Sequence, residues 1–326
     1  MVPIRFVHKA AANWASKGDD MPPLPEDWAR PVQNGTQAWI VQTWTHLKRA
    51  GYPVSLSDRY AQGHINVVHY DHLKAKDFPT RYFVVAVQAD RGRPEMCNMR
   101  IVQNRKGVRM PECDVFMDHW PQPGLIPRNA NRPDRIKSVG YFGLPNYLPK
   151  FAKEASFRDK LALRDVSFHI RSDPEQWQDY SDIDAVFAMR EASEYYIGTK
   201  PATKLSNAWL AGSVPFMGRE PAYRDAGTPG LDYLEIETED QFFESLDRLL
   251  ADPAQTDAIR ASGKVRAEKL TVEAVTAEWT DFLFGVAQEE YASSRKSFYR
   301  RTRSALTLPA KRKSHRREEN EFKQNQ

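Results

Sequence analysis

Residues Asp184 to Gly227 read DAVFAMREASEYYIGTKPATKLSNAWLAGSVPFMGREPAYRDAG. The apolar run Ala185–Met189 predicts a buried strand that delivers Arg190 at its carboxyl end. A loop leads to Lys200-Pro201-Ala202-Thr203-Lys204, and the spacing then predicts a helix over Thr203–Gly212 closed by glycine. Val214–Met217 predicts the next strand. A strand, a crossover helix and a strand within about thirty residues make a parallel βαβ unit. Open parallel sheets take ligands at the carboxyl ends of their strands, and a helix N-terminus there offers free N–H groups and a positive dipole end. Lys204 falls in the first helical turn, Lys200 just upstream and Arg190 at the strand end, so three cations face one edge. Asn207, three residues after Lys204, shares its helix face. Such a set suits a diphosphate, which needs paired charge-assisted donors. Taken singly, each cation also reads as a solvated surface charge. Trp209 lies with Leu205 and Ala208 on the opposite, core-facing side.

The same alternation extends in both directions. Downstream, Tyr233–Ile236 predicts a strand and Glu239–Ala251 a helix. Upstream, Ile136–Phe142 predicts a strand ending at Gly143, followed by a helix over Lys150–Leu163 and a strand at Val166–Ile170. Before residue 105 a second series appears. Its strands are Ile4–His8, Pro53–Leu56, Ile65–His69, Tyr82–Val87 and Met99–Val102, and its helix is Thr36–Ala50, with Ile40, Trp44 and Leu47 at i, i+4 and i+7. A proline-rich stretch (Pro22, Pro23, Pro25, Pro31) interrupts it. His119–Arg128, with three prolines and a glycine, reads as the start of a connection between two doubly wound α/β domains facing a cleft. We therefore expect a first domain over 1–128, a second over 129–291, and a tail over 292–326. In the terminal helical region from Gln255 to Tyr291, Val275, Trp279, Phe282 and Val286 form an apolar stripe that needs a partner surface.

At 326 residues the chain is long enough for two cores at roughly 150 residues per domain. Two cysteines, Cys97 and Cys113, exclude a disulfide scaffold and a cysteine-built zinc site. No run of about 20 apolar residues and no apolar leader is evident, so a cytoplasmic protein is expected. The net charge of +4 is unevenly spread. Ala292–Gln326 holds eleven Lys/Arg and three Asp/Glu, which leaves the first 291 residues at −4. We expect a disordered basic arm, solvated or drawn peripherally to the anionic inner face of a membrane, with Phe298, Tyr299, Leu306 and Leu308 as interfacial contacts. A nucleic-acid partner is not expected. The sequences GxGxxG, GxxxxGK[ST], HExxH, GxSxG and CxxC are all absent, which removes the usual dinucleotide, P-loop, zincin and α/β-hydrolase signatures.

The segment K-P-A-T-K-L-S-N-A-W-L-A-G-S-V-P (Lys200–Pro215) resembles the donor-site segment of GT-B glycosyltransferases. It is similar to the K-L-x-N-A-x-x-A-G-x-V-P motif of bacterial α1,3-fucosyltransferases and to the E-A-x-A-x-G-x-P segment of retaining GT-B enzymes. Uncharacterised bacterial GT-B-like proteins carry segments like Ala89–Pro94, Val102–Asn104, His119–Arg128, Asp179–Val186 and Glu220–Arg224. The resemblance implies two Rossmann-like domains, a nucleotide-diphosphate-sugar donor, no separate cofactor and no obligatory metal. It further implies a glycan, lipid-linked or surface-polysaccharide acceptor. By position, Lys204 and Arg190 would hold the donor diphosphate, Gly143 would admit it to the backbone, and Glu220 would bond ribose or sugar hydroxyls. The retaining enzymes have two glutamates eight apart, where this chain has Thr199 and Asn207, so retaining chemistry is unsupported. An inverting reaction needs a general base from the first domain. Of His69, Asp71, His72, Asp90 and Asp20 at predicted strand ends and in the proline-rich loop, the expected catalytic residues are Asp90 and His72. The alternative is a nucleotide-sugar-binding regulatory protein of the same fold that has lost turnover.

Overall fold

Near-continuous runs of valine, isoleucine and phenylalanine become central strands here because both of their faces are covered. In the computed structural model, which describes residues 1–14, 21–30, 32–73, 81–296 and 306–325, the chain divides into two units. One comprises Met1–His119 with Val272–Gln326, and the other Trp120–Thr271.

The first unit holds a six-stranded sheet of β1 (Ile4–Val7), β2 (Val54–Ser57), β3 (Ile65–His69), β4 (Phe83–Val87), β5 (Met99–Val102) and β6 (Asp114–Phe116). The spatial order is β2-β1-β3-β4-β5-β6, and every pairing is parallel. The short β6 was not legible in the sequence; Arg93 and Arg100 pin its first residue, Asp114, at the sheet edge. The helix after β1 opens as a π-helical stretch, Gln37–Val41, and continues as Gln42–Arg49.

The second unit holds β7 (Ser138–Phe142), β8 (Ser167–Arg171), β9 (Ala185–Ala188), β10 (Val214–Gly218) and β11 (Leu234–Ile236), in the order β11-β10-β9-β7-β8. These pairings are parallel as well. One face is filled by a phenylalanine-rich cluster around Phe157, Phe187, Phe216 and Phe242. The other is filled by Leu205, Ala208 and Trp209 of the helix Thr203–Ala211, with Tyr180, Tyr223 and Tyr233. Trp209 is core: its indole N–H donates to Asp232 O at 2.8 Å, and Gly263 of the helix Pro253–Ala267 lies against its ring. A buried carboxylate, Asp184, ties the start of β9 to the segment before β7 by accepting from Arg128, Arg132 and the N–H groups of Lys137 and Ser138.

Three readings change. First, the helix expected over Lys150–Leu163 breaks at Glu154 into Lys150–Lys153 and Ala155–Ala162, because Glu154 adopts an extended conformation. Second, the terminal helices group with the first unit rather than with 129–291. Trp279 is fully buried beside Phe6 and Trp39, with ring centroids 6.2 and 6.3 Å away. The stripe also ends differently: Val275, Trp279 and Phe282 are buried, but Val286 is 50% exposed and Ala287 is buried in its place. A π-helical turn at Phe282–Val286 inserts the extra residue that moves the stripe on by one. Third, the basic tail is not a disordered arm throughout. Ala287–Lys296 and Leu308–Asn325 are helices, and the second packs on the first unit through Phe322 and Glu318. Phe298, Tyr299 and Asp20 lie outside the described residues. Among those described, no helix is long and apolar enough to cross a membrane.

Candidate functional site

Three adjacent strands of the second unit, β7, β9 and β10, run parallel, so their carboxyl ends lie side by side. A residue singled out in the sequence stands within two positions of each strand end: Gly143 after β7, Arg190 after β9, Glu220 after β10. The helix Thr203–Ala211 joins β9 to β10 and starts at the same edge, with Lys204 in its first turn.

Arg190 and Glu220 form an ion pair through Nη1 and Oε2, and Arg190 also reaches the Tyr223 hydroxyl at 3.4 Å. Glu220 is buried to 2% exposure and the Arg190 side chain is 12% exposed. Burial works against the Arg190 charge, but Glu220 outweighs it and the guanidinium stays ionised. Burial likewise pushes the Glu220 carboxyl up, with Arg190 and Lys204 opposing. Its second oxygen, Oε1, is buried without a hydrogen-bond partner, as is the Thr203 hydroxyl at the helix start.

Lys204 is the unsatisfied charge. Its Nζ lies 4.3 Å from the centre of the Tyr141 ring and makes no ion pair among the described residues. It also closes on Gly143, where a Cβ would sit 3.2 Å from Nζ, at a φ of +144° that disfavours any side chain. Burial, then the Arg190 and Lys200 charges, hold its pKa well below the ordinary lysine value, with Glu220 only partly compensating. An anion arriving here would supply the missing counter-charge, and the helix N-terminus has no side-chain cap competing for its N–H groups. Lys200 is buried with its Nζ 3.8 Å from the centre of the Tyr196 ring.

Asn207 departs from the expectation that it points with Lys204. It is buried, its Oδ1 accepts from Gln122 N at 3.3 Å, and it bonds the Tyr180 side chain. It holds the segment after Trp120 onto this helix. Arg190 departs in another way: being paired with Glu220, it is a fixed ion pair rather than a free cation. Tyr141, Tyr223 and Thr203 were missed; alternation marked Tyr141 as strand, but nothing in the sequence says its ring lies under Lys204.

The first unit carries its own cluster at the carboxyl edge of β1, β3 and β4. His8 follows β1, and its ring sits edge-on to His72 with centroids 4.8 Å apart; its Nε2 lies 3.2 Å from the Thr36 hydroxyl. His72 accepts from Lys9 N at 3.4 Å. His69 ends β3, fully buried, with Nδ1 3.2 Å from Asp71 N and Nε2 facing Gly35. Burial holds His8, His69 and His72 down to about 4, so all three are neutral at pH 7. Asp90 is half-exposed and accepts from Arg91 at 3.2 Å, while Arg91 also grips Asp71 through two hydrogen bonds. Of the two residues expected to be catalytic, His72 thus belongs to a neutral histidine cluster and Asp90 to an Asp-Arg-Asp array. His8 was not singled out.

The Arg190–Glu220 pair gives a direct check on this geometry. Glu220→Ala leaves a buried guanidinium uncompensated and is expected to lower stability by about 3 kcal/mol. Replacing both partners, Arg190→Met with Glu220→Leu, should recover most of that loss. Chemical denaturation of the single and double variants measures both.

No protein-family model matches this sequence, and no curated protein sequence does. Among solved structures, the sucrose-phosphate synthase of Thermosynechococcus elongatus aligns over 90% of this chain and 100% of its own, at 12% identity and a TM-score of 0.59. Anabaena Alr3699/HepE, solved with UDP, aligns over 74% of this chain and 88% of its own, at 11% identity and a TM-score of 0.47. TarM aligns over 75% of this chain and 58% of its own, at 11% identity and a TM-score of 0.49. The first of these shares the fold, two parallel α/β sheets.

Proposed function

We propose that the chain is a GT-B glycosyltransferase that moves a sugar from a nucleotide-diphosphate-sugar donor to a glycan or surface-polysaccharide acceptor. One observation carries the reading. At the carboxyl edge of β7, β9 and β10, a half-buried lysine with no ion pair among the described residues, an uncapped helix start and an orphaned carboxylate oxygen converge on one place. The first two want an anion, and the third wants a hydroxyl. A phosphorylated sugar or nucleotide supplies both. The fold shared with a sucrose-phosphate synthase and the Lys200–Pro215 segment point the same way.

In this reading Lys204 and the N–H groups of the first helical turn neutralise the diphosphate as the sugar–oxygen bond breaks. No separate cofactor is needed, and the chain's own cations take the place of a metal. Gly143 leaves room for Lys204 and for a phosphate close to the backbone. Glu220 accepts from a ribose or sugar hydroxyl through Oε1 while Oε2 stays on Arg190. Lys200, beside Tyr196, adds positive potential. On the acceptor side, His72 or Asp90 takes the hydroxyl proton. A neutral imidazole or a carboxylate is in the right protonation state for that role, although a histidine held near 4 is a weak base.

Incubation with UDP-, GDP-, CDP-, ADP- and dTDP-sugars, with release of the nucleoside diphosphate as the readout, tests this reading. One donor should be turned over, first slowly to water and faster with a glycan acceptor. Tight binding of a donor with no release under any acceptor would instead establish the regulatory alternative.

A further inference from the structure

We propose that the outward face of the helix Leu308–Asn325 docks the protein on an anionic lipid surface. This helix has two sides that the sequence keeps apart. Its inner side is fixed to the first unit: Phe322 and Glu318 are buried, and Glu318 accepts from Arg109 at 2.9 Å. The His315 ring lies 5.4 Å from that of Tyr70, and the helix backbone at Glu318 presses so closely on Gly92 that a Cβ there would sit 2.8 Å from the carbonyl oxygen.

Its outer side carries Arg312, Lys313, Arg316 and Arg317, at i, i+1, i+4 and i+5, all exposed. Among the described residues Arg312, Lys313 and Arg316 make no ion pair, and Arg317 reaches the already occupied Glu318 at 3.9 Å. The helix dipole does not account for them, because all four stand between the first and the last turn, where it favours no cation. The three glutamates, 318, 319 and 321, all follow them. The first 291 residues are net acidic, so the positive charge of the chain is gathered in residues 292–326 rather than spread. Leu306, two residues before the helix, and Met110, next to the Arg109 that grips Glu318, are exposed apolar side chains. Long basic side chains extending from a rigid plane with apolar flanks suit a bilayer interface, where the methylenes lie among headgroups and the charges meet lipid phosphates. The Gly92 contact and the neighbouring Arg91 tie this face to the loop that carries Asp90.

Co-sedimentation of the full chain with vesicles of phosphatidylcholine alone, or mixed with phosphatidylserine, tests the proposal. The wild type should bind only the mixed vesicles and release as salt is raised. Reversing the four charges (R312E, K313E, R316E, R317E) should weaken that binding by about 100-fold or more. The neutral set (R312Q, K313Q, R316Q, R317Q) should lose somewhat less. Unchanged thermal unfolding and nucleoside-diphosphate binding in both variants would show that the loss is of surface charge and not of the fold. Vesicle binding unaffected by either set would overturn the proposal, as would wild-type binding to a polynucleotide in preference to the mixed vesicles.

Discussion

Lys204→Met is expected to raise the melting temperature of the ligand-free protein while abolishing the stabilisation that a nucleoside diphosphate gives the wild type. The two effects have one cause. In the folded chain Lys204 is desolvated and stands near Arg190 and Lys200, so its pKa is lowered. Between that lowered value and 10.5 the unfolded chain therefore binds more protons than the folded one, and the penalty on folding, full below this interval, fades as the pH rises through it. Methionine keeps the aliphatic packing against Tyr141 and removes the penalty. It also removes a cation that makes no ion pair among the described residues, and turnover of the donor should fall by about 100- to 1000-fold, the cost of losing one group aimed at developing charge. Differential scanning fluorimetry with and without nucleoside diphosphate reads the first pair of effects. Steady-state kinetics reads the last. A structural lysine would do the reverse, with the variant melting lower and the ligand shift persisting.

Acidification should unfold the first unit before the second. Seven of the eight histidines lie in Met1–His119 and Val272–Gln326, and only His169 lies in the other unit. His8, His46 and His69 are buried, and burial is the largest cause that holds each down to about 4 from 6.5, against the opposing charges of Glu273 at His46 and Asp71 at His69. A histidine with a depressed folded pKa contributes stability that is whole above 6.5 and is lost as the pH falls through that interval to about 4. For each fully buried ring the loss approaches about 3 kcal/mol. The first unit also holds an opposing pair. Burial and Asp118 raise Glu278 to about 7, so that carboxyl favours folding as the pH falls from 7 toward its unfolded value. One such pair offsets at most one of the three histidines. In the second unit, Asp184 is penalised by burial but brought down to about 2 by hydrogen bonds from Arg132, Lys137 N–H and Arg128, so its contribution is lost only below 3.8. Hydrogen exchange followed at pH 7 and pH 5 should therefore show protection falling in β1–β5 while β7, β9 and β10 keep theirs. Equal loss in both units would contradict the reading.

Much of this was legible because the chemistry is local. A run such as Phe83–Val87 can only be a strand buried on both faces, and Gly212 closes its helix in the left-handed conformation that its position demands. The strand ends that carry Gly143, Arg190 and Glu220 follow from parallel alternation alone. What the sequence hides is set by tertiary contact. Arg190 reads as a free cation until Glu220, thirty residues on, is seen to neutralise it. Asn207 shares a helix face with Lys204 by spacing, yet Gln122 and Tyr180 hold it inside. Val286 fits an uninterrupted helical period, and the π-turn that displaces it has no sequence mark. The basic terminal helix reads as disordered by composition. Its order comes from Phe322 and Glu318 meeting Gly92 and Arg109, contacts more than two hundred residues apart along the chain.

The account rests on Lys204 meeting a diphosphate, and calorimetric titration of the wild type with UDP, GDP, CDP, ADP and dTDP tests this most directly. Run at mildly alkaline pH in two buffers of different ionisation enthalpy, it reports proton movement as well as affinity. One nucleoside diphosphate should bind at a single site and take up a proton from the buffer, because the arriving charge lifts the depressed Lys204 pKa. Absence of binding by all five, or binding with no proton uptake that survives in Lys204→Met, would contradict it.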